Sequence, residues 1–230
     1  MGLGTARRQK RARVDPGRGA FVVLVGPDGT GKSTLALGLV ETSRETFARV
    51  LHVHWRPGLL PRAGSLLGRE AGDPTQPHAQ PPHGRGISLA LLAYDWFDFF
   101  AGTWLRILPV RARGGLVVME RGWFDMAVDP RRYRLDVPHR IVEMLGRLLP
   151  RPDMALVLEA DPQVLHDRKA ELPIPELARQ AGRWRQIRFP HRTNRLFLDA
   201  SQSPERLLTR RGVPSWQDEF SVLKPKRRVC

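Results

Sequence analysis

The sequence is short of cysteine, of acid and of long apolar runs, and each shortage removes a class of reading. Only one of the 230 residues is cysteine, and it is the last, Cys230. No internal disulfide can form, and a terminal Cys by itself is not a prenylation box. The longest apolar runs, such as residues 21–25, fall far short of the ~20 residues that a membrane span needs. The basic first 19 residues lead into no apolar stretch long enough for a secretory leader. Ala6 stands where a myristoylation signal needs Ser or Thr. The expected location is the cytoplasm.

Acid is outnumbered, 23 Asp and Glu against 38 Lys and Arg, for a net charge of +15. The excess is concentrated at the ends. Residues 1–19 carry six basic side chains against Asp15, and residues 224–230 carry four against none, so the two tails hold +9 of the total. Such tails are either solvated flanks or arms for nucleic acid or anionic lipid. No aromatic residue interleaves with their charges, which argues against stacking on single strands. Nucleic acid is therefore expected as a partner only through the tails.

What remains suits one α/β domain over residues 20–213, between a basic tail at 1–19 and another at 214–230. Strands are predicted at residues 20–25, 50–54, 115–119, 154–159 and 195–199. Most are near-continuous apolar runs, as strands covered on both faces should be. Helical patterns separate them at 32–47, 87–108, 137–149, 162–171, 175–187 and 204–211. This alternation predicts a three-layer fold around a parallel sheet with right-handed crossovers. Residues 56–86 break the rhythm, with six prolines in 31 residues and abundant glycine. A loop of that length leaving a strand's carboxyl end is read as a mobile acceptor-side flap or as disorder. His78 and His83 within it make a weak metal motif, and His52 and His54 read as core or edge histidines.

One stretch carries chemistry. In FVVLVGPDGTGKSTLALGL, residues 21–39, a buried strand meets a glycine-rich turn and then a helix. Gly26, four residues, then Gly31-Lys32-Ser33 is the spacing of a phosphate-cradling loop. Gly26, Gly29 and Gly31 let main-chain amides turn inward, with Thr30 and Thr34 beside them, and the helix start adds its positive end. Lys32 is expected to bridge the β- and γ-phosphates of ATP, and the Ser33 hydroxyl to ligate Mg²⁺. A metal site of this kind needs an acid at the end of a neighbouring strand. GGLVVMERGWF supplies Glu120, with Arg121 next to it for phosphate oxygens. Arg168, Lys169, Arg179 and Arg183 are spaced so that several guanidinium groups could converge after a turn.

These segments together resemble the thymidylate kinases and their thymidylate kinase-like relatives. GPDGTGKST has that family's loop form, including Asp28. WRPG resembles a shortened Arg-Glu-Pro-Gly, ERGW an Asp-Arg-aromatic motif, LVLEADPQVLHDRK the fourth strand and lid entry, and LFLDASQSPERL the last strand. The resemblance spans roughly residues 20–212. It implies a nucleoside monophosphate kinase-like P-loop fold, a five-stranded parallel sheet in the order 2-3-1-4-5 with a helical, Arg-rich lid. It also implies roles: Asp28 orienting the acceptor, Arg121 gripping its phosphate, Arg56 contacting it and Glu120 holding Mg²⁺ through water. Arg168 would lie over the adenine or on the phosphates, and Ala200 and Ser201 beside the base. A homodimer through residues 87–108 is a further implication.

The acceptor half departs from that pattern. The Glu of the Arg-Glu-Pro-Gly motif is missing, and GWFDMAVDPRRYR replaces the thymidine-reading helix. LLAYDWFDFF keeps Asp95 but places Trp96 where a base-contacting Arg is usual. Asp125, Asp129, Arg131, Arg132 and Tyr133 become candidate acceptor contacts. The resulting expectation is a Mg·ATP-dependent kinase whose small-molecule acceptor is a nucleoside monophosphate, dTMP or a relative. A sugar phosphate or other small metabolite stands as the alternative. A nucleotide-dependent switch and a nucleic-acid-associated ATPase are rival readings.

Overall fold

The computed structural model describes residues 19–61 and 78–209. The expectations for the two basic tails and for the middle of the 56–86 segment lie outside those residues. Five parallel strands, β1 (Ala20–Val25), β2 (Val50–His54), β3 (Leu116–Glu120), β4 (Met154–Glu159) and β5 (Asn194–Asp199), form one sheet. Their order is β2-β3-β1-β4-β5. β1, β3 and most of β4 are buried throughout, whereas the edge strands β2 and β5 are only partly covered. That is why the three central runs carry almost no polar residue before their last position.

Alternation along β1 divides the core between the two faces of the sheet. Phe21, Val23 and Val25 face one cluster with Leu92, Phe99, Trp123, Val142 and Trp184; Ala20, Val22 and Leu24 face another with Leu35, Leu39 and Leu207. The second face is covered by α1 (Lys32–Ser43), whose buried residues Lys32, Leu35, Ala36, Leu39, Val40 and Ser43 recur every three or four positions, and by α8 (Pro204–Thr209). α1 stops four residues short of the predicted end. The chain turns after Ser43 so that Phe47, 3% exposed, is buried ahead of β2.

The first face carries α2 (Arg85–Gly102), which runs through a widened turn at Thr103–Ile107 into α3 (Leu108–Ala112). One helix was expected here. Pro109 has no N–H to give the turn below it, and the wider turn absorbs that loss. Beyond β3 a buried segment forms α4 (Asp125–Val128) and a 3₁₀ turn at Pro130–Tyr133, neither of which the periodicity foretells, because both are too short to show a period. α5 (His139–Arg147), α6 (Pro162–Arg168) and α7 (Ile174–Gln186) complete the described chain. None of its helices is long and apolar enough to cross a membrane. Phe97, Phe100, Trp104 and Leu105 leave an apolar stripe exposed along α2 and the turn after it.

Candidate functional site

All five strands point their carboxyl ends the same way, and the candidate residues gather at that edge. β1 ends in the glycine loop. Gly26, Gly29 and Gly31 all have positive φ (147°, 80° and 77°). A Cβ on Gly26 would come 2.5 Å from the Leu158 carbonyl, whereas one on Gly31 would meet nothing within 4 Å. The loop is thus pressed against β4 on one side and open on the other, where a phosphate group fits. Lys32 is 6% exposed and donates to its own loop, to Gly26 O and Pro27 O at 2.7 Å each, with Asp28 Oδ1 3.8 Å away. Burial, reinforced by the neighbouring Arg121 charge, lowers its pKa to about 7.

The parallel register sets Glu120 of β3 beside Leu24 of β1 and His54 of β2. Its carboxylate is 2% exposed as a residue and fully engaged. Ser33 Oγ donates to Oε2 at 2.5 Å, His52 Nε2 lies 2.6 Å from Oε1, and His54 Nδ1 lies 3.5 Å from Oε2. A hydroxyl at the start of α1 and a carboxylate at the end of β3, in contact, make a hard-oxygen pair suited to a small divalent cation. The two histidines, read as core or edge residues, sit on the edge strand and both reach this carboxylate.

Sharp turns follow β2 and β3. Trp55 (φ 64°) and Arg121 (φ 62°) take left-handed backbone that non-glycine residues rarely adopt, a conformation that gathers at functional sites. The turn aims Arg121 at the loop, where it donates to Asp28 Oδ1 at 3.0 Å. Arg132, from the 3₁₀ turn, takes Asp28 Oδ2 and also approaches Asp129 Oδ2 at 3.4 Å. These side chains and Asp125, Gln180 and Trp184 line a small polar pocket. Asp125 is 7% exposed, and burial raises its pKa to about 7. Its Oδ2 has no hydrogen-bond partner among the described residues.

Beside it, Tyr133 stacks on Trp55 with ring centroids 5.1 Å apart. The Tyr133 hydroxyl and the Trp55 indole N–H are likewise buried without hydrogen bonds among the described residues, although the Arg121 guanidinium faces the hydroxyl. Arg131 is exposed. His78 Nε2 lies 2.7 Å from Asp129 Oδ1, with Glu176 nearby, but those carboxylates also take Arg132, Arg179 and Gln180.

On the far side of the loop, Thr30, Gly31, Leu35, Leu158, Ala200 and Ser201 line an open cavity of about 230 Å³. Arg168 spans its rim, donating to Ala200 O at 2.6 Å. Ser33 and Thr34 are exposed at the start of α1.

The chain matches no family model, and no curated protein matches it.

Several expected contacts are placed elsewhere. Arg56 is 7% exposed and is taken up by Asp95 Oδ1 at 2.7 Å, by Asp98 at 3.7 Å and by the Pro61 carbonyl. Asp98 is fully buried and also receives the amides of Gly58 and Leu60. Burial raises Asp95 to about 6 despite the Arg56 charge. Arg56 and Asp95 therefore pin the start of the 56–86 segment to α2, and neither lines the polar pocket around Asp28. Trp96 turns away from that pocket, giving its indole N–H to Leu145 O at 3.0 Å and stacking on Phe100. The basic residues expected to converge after a turn do not. Lys169 pairs with Glu171, Arg179 with Glu176 and the Val128 carbonyl, and Arg183 with Glu143. Trp55 is the pocket neighbour that sequence reasoning passed over. Its only signal was a large aromatic directly after a strand.

Proposed function

We propose that the chain is a Mg·ATP-dependent phosphotransferase of thymidylate kinase-like architecture, passing the γ-phosphoryl group of ATP to a small acceptor. The observation that carries this reading is the contact of Ser33, at the start of α1, with Glu120, at the end of β3, at 2.5 Å, beside a buried lysine in a glycine loop. Loop amides and Lys32 would hold the β- and γ-phosphates. The 230 Å³ cavity under Arg168 would take the adenine. Ser33 and Glu120 would hold Mg²⁺, which would supply charge neutralisation at the β- and γ-phosphates. Arg121 and Arg132 are poised to leave Asp28 for the transferring group or the acceptor, stabilising charge as it spreads over the phosphoryl oxygens. Little covalent work falls on the protein; alignment and charge neutralisation supply the rate.

The resemblance makes a nucleoside monophosphate, dTMP or a relative, the first acceptor to try, with sugar phosphates and other small metabolites next. The exposed Phe97, Phe100 and Trp104 stripe is where we place a second copy of the chain, which light scattering would register as a dimer. The test of function is calorimetry with MgATP, followed by coupled ADP release across acceptors, each with Lys32→Ala as control. Binding without acceptor-stimulated release would favour a nucleotide switch. Stimulation by DNA or RNA, lost at high salt, would favour a nucleic-acid ATPase.

A further inference from the structure

Four carboxylates surround the loop, and three of them are fully committed. Asp28 gives its oxygens to Arg121 and Arg132. Glu120 gives its oxygens to Ser33, His52 and His54. Asp129 accepts from His78, from the Arg132 amide and from the Arg132 guanidinium. Asp125 alone lines the polar pocket with a buried oxygen that has no hydrogen-bond partner among the described residues. Glu171 of the lid also has an unbonded oxygen, but it faces Arg132 at 4.0 Å and is not part of the pocket wall.

The cations on this pocket's wall are already outnumbered. Arg121 and Arg132 line it with Asp28, Asp125 and Asp129, two guanidinium groups against three carboxylates, and Lys32 approaches only Asp28, at 3.8 Å. A phosphomonoester acceptor would bring close to two further negative charges, its second pKa being about 6, into a pocket with no surplus cation. Its oxygen needs no base, and a buried carboxylate beside it would repel it. A neutral hydroxyl acceptor has the opposite needs. It adds no charge, and it must lose a proton as the O–P bond forms. The buried hydroxyl of Tyr133 and indole N–H of Trp55 offer further polar contacts to a hydroxylated molecule.

We infer that the nucleophile this site serves is a hydroxyl group of an uncharged, hydroxylated small molecule, with Asp125 Oδ2 as the general base. This rests on the kinase reading above and narrows its acceptor. The acceptor oxygen bonds to the γ-phosphorus and the bond from that phosphorus to the β,γ-bridging oxygen breaks. ADP leaves, and the hydroxyl proton passes to Asp125 and then to water. Asp125 suits the task because burial holds its proton affinity near neutrality, with Lys32, Arg121, Asp129 and Tyr133 as the charged or titratable groups facing it. Gln180 and Trp184 wall it from the lid side.

The test needs no variant at first. The full chain with MgATP is offered paired acceptors, thymidine against dTMP and glucose against glucose 6-phosphate, and products are read by ³¹P NMR. The inference expects a new phosphomonoester from an unphosphorylated member of a pair. A new diphosphate linkage from a phosphorylated member would overturn it and leave the kinase reading standing. No product from any pair, with no ATP uptake by calorimetry, would overturn both. Asp125→Asn then tests the base. The expected result is a kcat about 10²–10⁴-fold lower, with unchanged ATP affinity and loss of the acidic limb of the pH–rate profile. An unchanged kcat and profile in a variant with a normal circular-dichroism melt would overturn the assignment of Asp125.

Discussion

The two halves of this site, the glycine loop and the polar pocket around Asp28, are built at different distances along the chain. On the loop side the glycine turn, Lys32 and Ser33 lie within eight consecutive residues, and a single strand register adds Glu120. On the pocket side Asp28 meets Arg121 and Arg132, 93 and 104 positions away, and outside that pocket Arg56 meets Asp95 and Asp98 about forty positions on. The loop half is an open cradle. The pocket half holds cations that are already answered by carboxylates. A short motif can specify a cradle, whereas a balanced set of distant charges exists only once the chain has folded.

The contrast can be broken most forcefully at Arg56. Arg56→Ala leaves Asp95 and the fully buried Asp98 without their cation, and a stability loss of about 3–5 kcal/mol is expected in urea unfolding. A loss under about 1 kcal/mol would mean that the ion pair is a surface ornament and the start of the 56–86 segment less firmly held than described. Lys32→Ala should leave the fold intact, since Lys32 bonds only its own loop. It should nonetheless lower ATP-dependent turnover by about 10²–10³-fold. Unaltered turnover would mean that Lys32 does not act on the phosphates.

Asp125→Asn sharpens the comparison through pH. The folded pKa of Asp125, about 7, lies above its ordinary value of 3.8. The stability that its neutral form contributes is complete below about pH 4 and is lost as pH rises through about 7. Asparagine does not ionise. The variant should therefore gain over the wild type across that range and melt a few degrees higher at pH 8. An equal gap at pH 4 and pH 8 would contradict the burial of this charge. At the small end, Arg44→Ala breaks an exposed helix pair with Glu41, far from either half, and should leave the melting curve unchanged.

Much of the fold was readable in order. All five strands sit within a residue of the apolar runs that announce them, because central parallel strands tolerate little but apolar side chains. The helix ends were less legible: α1 stops at Ser43 to bury Phe47, and Pro109 divides the second helical run. In the site, the loop motif names its own neighbours. Trp96 shows the limit. Helical spacing places it on a face of α2 but cannot say that this face meets Leu145 and not the loop. Asp98, the second acid of an aromatic stretch, carries no local sign that Arg56 and two amides close around it. Asp125 and Arg132 were candidates by position alone. The open oxygen of the one and the grip of the other on Asp28 depend on a backbone turn at Arg121 that no local pattern encodes.

Of the six tryptophans, Trp55 is the one stacked on Tyr133, beside the polar pocket, with its indole N–H buried and unbonded among the described residues. Any molecule that displaces Tyr133 or accepts from that N–H will change the surroundings of an intrinsic fluorophore. The chain thus carries its own optical reporter, and a shift in emission that disappears in Trp55→Phe would let unlabelled compounds be ranked for entry before any turnover is measured.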